Sequence, residues 1–187
     1  MKKVHIDHLN KIAKRLFFSI FNHKLMVSDE FKEEKTPHFK TTYLIQIGLL
    51  SKKSQLSLIL GVSEKDSQHI LTEILSLARS QEEKVELSKS ALGELCNNIA
   101  CDLAEIDVFK KDFGNLHPTA PLVWVIDGTL PDFIEAEGFS SHIFSENTKV
   151  FTFISKYPFQ KNSNGDIGAN NWNPTRTLSI YDPHGNK

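Results

Sequence analysis

The chain has 187 residues, 40% of them hydrophobic and 24% charged, which fits one well-packed domain better than two small ones. Its formal net charge is −1 and its basic residues have acidic neighbours along the chain, so nucleic acid and anionic membranes are poor first partners. The only cysteines, Cys96 and Cys101, lie on one candidate helix and point about 140° apart, which argues against a shared disulfide or zinc. Reduced thiols of a cytosolic protein are the expectation. The Met-Lys-Lys start leads into apolar residues broken by His, Asp, Lys and Arg, so neither a signal peptide nor a membrane span is read.

In chain order, Ile6, Leu9, Ile12, Ala13, Leu16, Phe17, Ile20 and Phe21 recur at three-and-four spacing and predict a helix over 5–22, with Asp7 as its cap. Residues 28–40 are polar, contain Pro37 and read as a loop. Tyr43, Ile45, Ile47 and Leu49 then alternate, Ser51–Ser54 makes a polar turn, and Leu56, Leu58 and Leu60 continue. That is a hairpin with one buried face. Ser63 and Asp66 signal a second helix carrying Ile70, Leu71, Ile74, Leu75 and Ala78. The charged stretch 81–86 separates it from a third helix over 88–113, which Gly114 stops.

Past Pro118 and Pro121 the period changes. Leu122–Ile126 is a strand ending at an Asp127-Gly128 turn, and 139–144 and 149–155 are two more. Residues 160–175, rich in Asn and Gly, read as a flexible loop before a closing strand over 177–181. The fold class expected is α+β over 1–187: helices packed on a largely antiparallel β-sheet.

Candidate chemistry concentrates in Ser90-Ala-Leu-Gly-Glu94-Leu-Cys-Asn97-Asn-Ile-Ala-Cys101. At about 100° per residue, Leu92, Leu95, Cys96, Ile99, Ala100 and Leu103 share one arc, and Ser90, Glu94, Asn97 and Cys101 oppose it. A carboxylate and an amide three residues apart are neighbours on a helix and can enter another molecule's site together. A solvated face carries the same residue types. However, Asn is mildly unfavourable inside a helix, so the Asn97-Asn98 pair asks for a reason. His5-Ile-Asp7-His8 has metal-like spacing but lacks an evident third ligand, and no metal is assigned. A Gly-rich phosphate loop, a zinc pattern and a Ser-centred nucleophile motif are all missing, so a complete active site within this chain is not expected.

The order of elements, with Glu94-Leu-Cys-Asn97-Asn-Ile-Ala on the third helix, resembles the CheC/CheX/FliY family of chemotaxis phosphatases, and its CheX branch most. The resemblance spans about 6–154 as an order of elements, and its specific motif is Glu-x-x-Asn followed by an apolar-small run. It implies a CheC/CheX-like fold and an aspartyl-phosphate phosphatase acting on a phosphorylated CheY-type response regulator. On that reading Glu94 and Asn97 are catalytic: Asn97 orients the attacking water and Glu94 pairs with the regulator's lysine. Ser90, Asn98 and Cys101 line the partner surface. No cofactor belongs to the chain itself, and the regulator supplies Mg²⁺. A cytoplasmic location and a homodimer joined at sheet edges are further implications. The alternative is a non-catalytic binding or scaffold module of the same fold. CheC-type members carry two such motifs, whereas the helix near 68–77 offers Glu73 without a matching Asn. Cys101 stands where family members often have Gly, and the loop 160–175 is not expected from the family.

Overall fold

A computed structural model describes residues 1–34, 40–129 and 137–157. Met1–Tyr157 forms one compact unit. The expected loop at 160–175 and closing strand at 177–181 lie outside the described residues.

The helices are α1 (Lys3–Phe21), α2 (Glu64–Ile70), α3 (Thr72–Leu75), α4 (Gln81–Glu105) and α5 (Asp107–Phe113). The strands are β1 (Met26–Val27), β2 (Lys32–Glu34), β3 (Lys40–Leu50), β4 (Gln55–Val62), β5 (His117–Pro118), β6 (Leu122–Thr129), β7 (Gly138–Phe144) and β8 (Lys149–Tyr157). They form one sheet in the order β1-β7-β8-β4-β3-β5, with β2 on β7 and β6 on β3, and every pairing among the described residues is antiparallel. α1 and α4 pack on each other; α1 covers β7 and β8, and α4 covers β3. The α+β reading with an antiparallel sheet is thus the observed architecture.

Several boundaries differ from expectation for identifiable reasons. α1 starts after Lys2 rather than at an Asp7 cap, because the Lys2 backbone N–H donates to His5 Nδ1 at 3.0 Å. α1 ends at Asn22, whose left-handed backbone (φ 51°) turns the chain out. The second helix is split, since Leu71 (φ −100°, ψ 18°) leaves helical geometry between α2 and α3. The Ser63 hydroxyl does accept the Asp66 N–H and caps α2.

The charged stretch 81–86 is no separator but the opening of α4: the Ser80 hydroxyl accepts the Glu83 N–H, and Glu82 and Glu83 suit the positive end of the helix dipole. The long helix read over 88–113 is really two. Ile106 is extended (φ −70°, ψ 128°) and ends α4 before α5 begins. Gly114, at φ 83°, is the stop its sequence position suggested.

Two sheet expectations also change. Lys32–Glu34, placed in the 28–40 loop, pairs with β7 as β2. Asp127-Gly128 is not a turn: β6 runs through it to Thr129, and the register slips between Thr41↔Gly128 and Tyr43↔Val125. A glycine inside a strand marks such a bulge as readily as a turn.

The hairpin β3–β4 was expected to bury one face, and it buries both. Tyr43, Ile45, Ile47, Leu49, Leu56, Leu58 and Leu60 meet α1 and α4 in the main core. On the other face Leu44, Ile59, Phe151 and Phe153 form a second buried cluster, with Trp124 and Ile126 against it. Alternation registers one apolar face only, whereas strands buried on both read as nearly continuous apolar runs.

His5 and His8, the metal-like pair, part ways. His5 is 1% exposed and packs against Phe109 and Phe113, with ring centroids 5.1 and 4.7 Å away. Because Nδ1 accepts from Lys2, Nε2 carries the proton and donates to Asp112 Oδ2 at 3.0 Å. Lys2 Nζ bonds the same oxygen at 2.7 Å. His8 instead stands T-shaped to Phe109, with ring centroids 6.5 Å apart.

Burial lowers the His5 pKa below the ordinary 6.5, outweighing the Asp112 carboxylate, which raises it. The unfolded chain therefore takes up this proton first. Stability present above about pH 6.5 is lost as the pH falls from there through the folded-state value. His23 shifts the same way, by burial and by its neighbour His69. The urea midpoint is expected to fall between about pH 7 and pH 5.5, with His5→Gln flattening part of that slope. An unchanged slope in His5→Gln would contradict this account.

Candidate functional site

α4 is set on the sheet by a wide buried arc: Ser88, Leu92, Gly93, Leu95, Cys96, Ile99, Ala100, Leu103 and Ala104. Small residues mark one flank. A Cβ added to Gly93 would lie 3.3 Å from Val123 Cγ2 and 3.8 Å from Pro121 Cγ, so the helix runs close against the start of β6. On the other flank Asp102 pairs with Arg15 of α1. Along the packed part of α4, the arc between β6 and α1 faces outward.

The sequence-derived site residues occupy this arc. Ser90, Glu94 and Cys101 are exposed, and Asn97 and Asn98 are half-buried. Asn97 stands one turn beyond Gly93, on the β6 flank, which accounts for its partial burial; Glu94 is about 60° further round toward solvent. Neither side chain is sunk in the core. Among the described residues nothing bonds the Asn97 amide, so both its donors and its acceptor are available.

One contact joins two residues of the stripe. The Asn98 side-chain amide donates to Glu94 Oε1 at 3.3 Å, an i,i+4 bond along the helix surface. Glu94 is thus oriented by Asn98. Spacing alone did not separate the two asparagines, although four residues bring a pair as near as three do.

The cysteines differ sharply. Cys96 is fully buried and burial pushes its thiol pKa far up, so it packs as a small apolar residue. Cys101 is a free, exposed thiol one turn past Asn97.

An acid-x-x-Asn spacing also recurs at Asp7 and Asn10 of α1. Asn10 is 0% exposed, and its Oδ1 accepts from the Thr152 hydroxyl at 2.7 Å. Its position was legible: on the α1 wheel it falls about 40° from Ile6 and about 20° from Phe17, inside the apolar arc. The spacing is the same and the burial opposite. Of these two acid-x-x-Asn pairs, Glu94 and Asn97 are the one that keeps both side chains out of the core.

Two long helices pack on one face of an antiparallel sheet, and the second carries a carboxylate and an amide on its outward side. Solved structures share this arrangement of elements. The chain is similar to a CheC-like superfamily protein from Shewanella sp. PV-4 (16% identity, TM-score 0.70, 84% of this chain and 100% of that one). It is also similar to the chemotaxis protein CheX from Desulfovibrio desulfuricans (11% identity, TM-score 0.66, 82% and 99%). A third structure, at 14% identity and TM-score 0.61, covers 82% of this chain and 98% of the other, and is a CheX–CheY–BeF₃–Mg²⁺ complex from Borrelia burgdorferi. The chain has the CheC/CheX fold. No family model matches the sequence, and no curated protein matches it. Among the described residues no helix is long and apolar enough to cross a membrane.

Proposed function

We propose that this protein docks α4 onto a phosphorylated CheY-type response regulator and accelerates hydrolysis of its aspartyl phosphate. The observation that carries the reading is the outward pair of Glu94 and half-buried, unbonded Asn97, on the long helix of a CheC/CheX fold. The CheX–CheY complex among the structural relatives supports the class of partner.

The chemistry asks little of the helper. Phosphoryl transfer depends on positioning and charge stabilisation, and the regulator brings its own Mg²⁺ and lysine. The Asn97 amide can donate to one oxygen while accepting from the attacking water, so it holds that water in line. Glu94, held by Asn98, offers its free oxygen to the regulator's lysine as an anchor. Ser90 and Cys101 lie on either side of the pair along the contact stripe.

The direct test mixes the purified protein with phosphorylated regulator and Mg²⁺ and follows phosphate loss. Loss no faster than the regulator's own rate would end the catalytic reading. A second reading has one observation behind it: the Glu94 carboxylate is already bonded within its own helix. In a non-catalytic binding module that bond stays, the regulator binds, and no turnover follows.

The homodimer is likewise proposed. Among the described residues β6 pairs only with β3, and its other edge is where a second copy would join the sheet. Sedimentation at micromolar concentration is expected to give twice the 21.2 kDa chain mass; a single-chain mass would remove the proposal.

A further inference from the structure

A groove between the C-terminal half of α1 and β1 has no part in the regulator reading. It holds about 410 Å³ and is lined by Lys14, Arg15, Phe18, Lys24, Leu25 and Met26. Phe18 is 49% exposed and Met26 54%, so two of the five large exposed hydrophobics among the described residues line this one groove. Scattered apolar residues need no explanation, but a cluster around a groove does.

The charges around it are one-sided. Residues 8–28 include Lys11, Lys14, Arg15 and Lys24 and contain no Asp or Glu, contrary to the expectation that acids accompany the basic residues along the chain. Arg15 is answered by Asp102 across the helix pair. Lys14 and Lys24 have no ion pair among the described residues. A near-neutral chain thus carries a local basic rim around an apolar floor.

We infer that this groove docks an acidic amphipathic segment of a partner protein. Its apolar side chains enter against Phe18, Leu25 and Met26, and its carboxylates meet Lys14 and Lys24. Concavity favours such a segment over a lipid surface, because projecting side chains at helical spacing fill a cleft and a bilayer has none to offer. The whole-chain charge of −1 also gives no long-range pull toward anionic lipid. The inference stands apart from the regulator reading, since none of the lining residues belongs to the α4 stripe.

The test uses the full-length protein and a labelled synthetic helix with Leu at i, i+3, i+4 and i+7 and Glu elsewhere, beside a counterpart with Gln for Glu. The Glu peptide is expected to bind about tenfold more tightly at low salt, with the preference shrinking as salt screens the charges. A Lys14→Glu, Lys24→Glu double variant should lose that preference. Phe18→Ser should weaken both peptides by a similar factor, and both variants should melt like the wild type. Equal binding of the two peptides, no binding at all, or a charge-reversed variant that behaves like wild type would overturn the inference. So would sedimentation with phosphatidylglycerol vesicles in the absence of peptide binding, which would reassign the patch to a membrane.

Discussion

Asn97→Ala is expected to reduce the acceleration of regulator dephosphorylation by about a hundredfold, the scale on which losing the alignment of an attacking water is felt. The substitution does not threaten the fold. Asn97 is half-buried and makes no bond among the described residues, and Ala is the better helix former by several tenths of a kcal/mol. The variant should therefore melt at or slightly above the wild-type temperature while its rate collapses, a combination that misfolding cannot produce. Asn97→Asp should fare no better, because a carboxylate accepts but cannot donate and repels the phosphoryl oxygens.

Neighbouring substitutions apportion the roles. Glu94→Ala should weaken regulator binding more than it slows the bound complex, since its proposed part is anchoring. Asn98→Ala frees the Glu94 carboxylate from its 3.3 Å bond and should change affinity by only a few-fold. Phosphate release under single-turnover conditions, with a separate binding titration, resolves these effects. Asn97→Ala turning over like wild type would remove the amide from the mechanism. Tight wild-type binding without turnover would select the binding module instead.

What the sequence made legible follows from how each element is stabilised. α1, α4 and the β3–β4 hairpin rest on long apolar periods, and those periods are visible to anyone counting residues. β1, β2 and β5 have only two or three residues each, too short to show a period, and exist because β7 or β3 offers a free edge. The breaks at Leu71 and Ile106 occur at ordinary apolar residues with no Gly or Pro to announce them. They are imposed by packing rather than by propensity.

The site shows the same division. The outward stripe of α4 was readable from the wheel, because the opposite arc is unbroken and apolar. The Asn98–Glu94 bond was not, since it depends on rotamers within one helix face. Nor did spacing distinguish Asn97 from Asn10; what separates them is which arc of the helix the sheet covers. The unaccompanied bases of α1 were present in the sequence as well. Whole-chain charge concealed them, and the exposed Phe18 and Met26 beside them became apparent only in three dimensions.

Gly138→Ala carries the other large expected effect, on stability rather than rate. Gly138 opens β7 and pairs with Ser155 of β8. A Cβ there would lie 2.3 Å from the Ile154 carbonyl oxygen and 2.8 Å from both Phe153 Cζ and Ser155 Cβ. A flexible side chain could swing aside, but a ladder carbonyl moves only with its strand, and the Phe153 ring is 0% exposed within the second core cluster. Overpacking of this kind costs about 3 kcal/mol. For a chain of this size that corresponds to a melting temperature lower by roughly 6–12 °C. β7 lies under α1, away from the α4 stripe, so regulator dephosphorylation at 25 °C should stay at the wild-type rate in this variant. Thermal denaturation followed by circular dichroism, paired with the phosphate assay, checks both halves. A melting temperature within about a degree of wild type would mean that the start of β7 yields far more easily than its pairing with β8 implies.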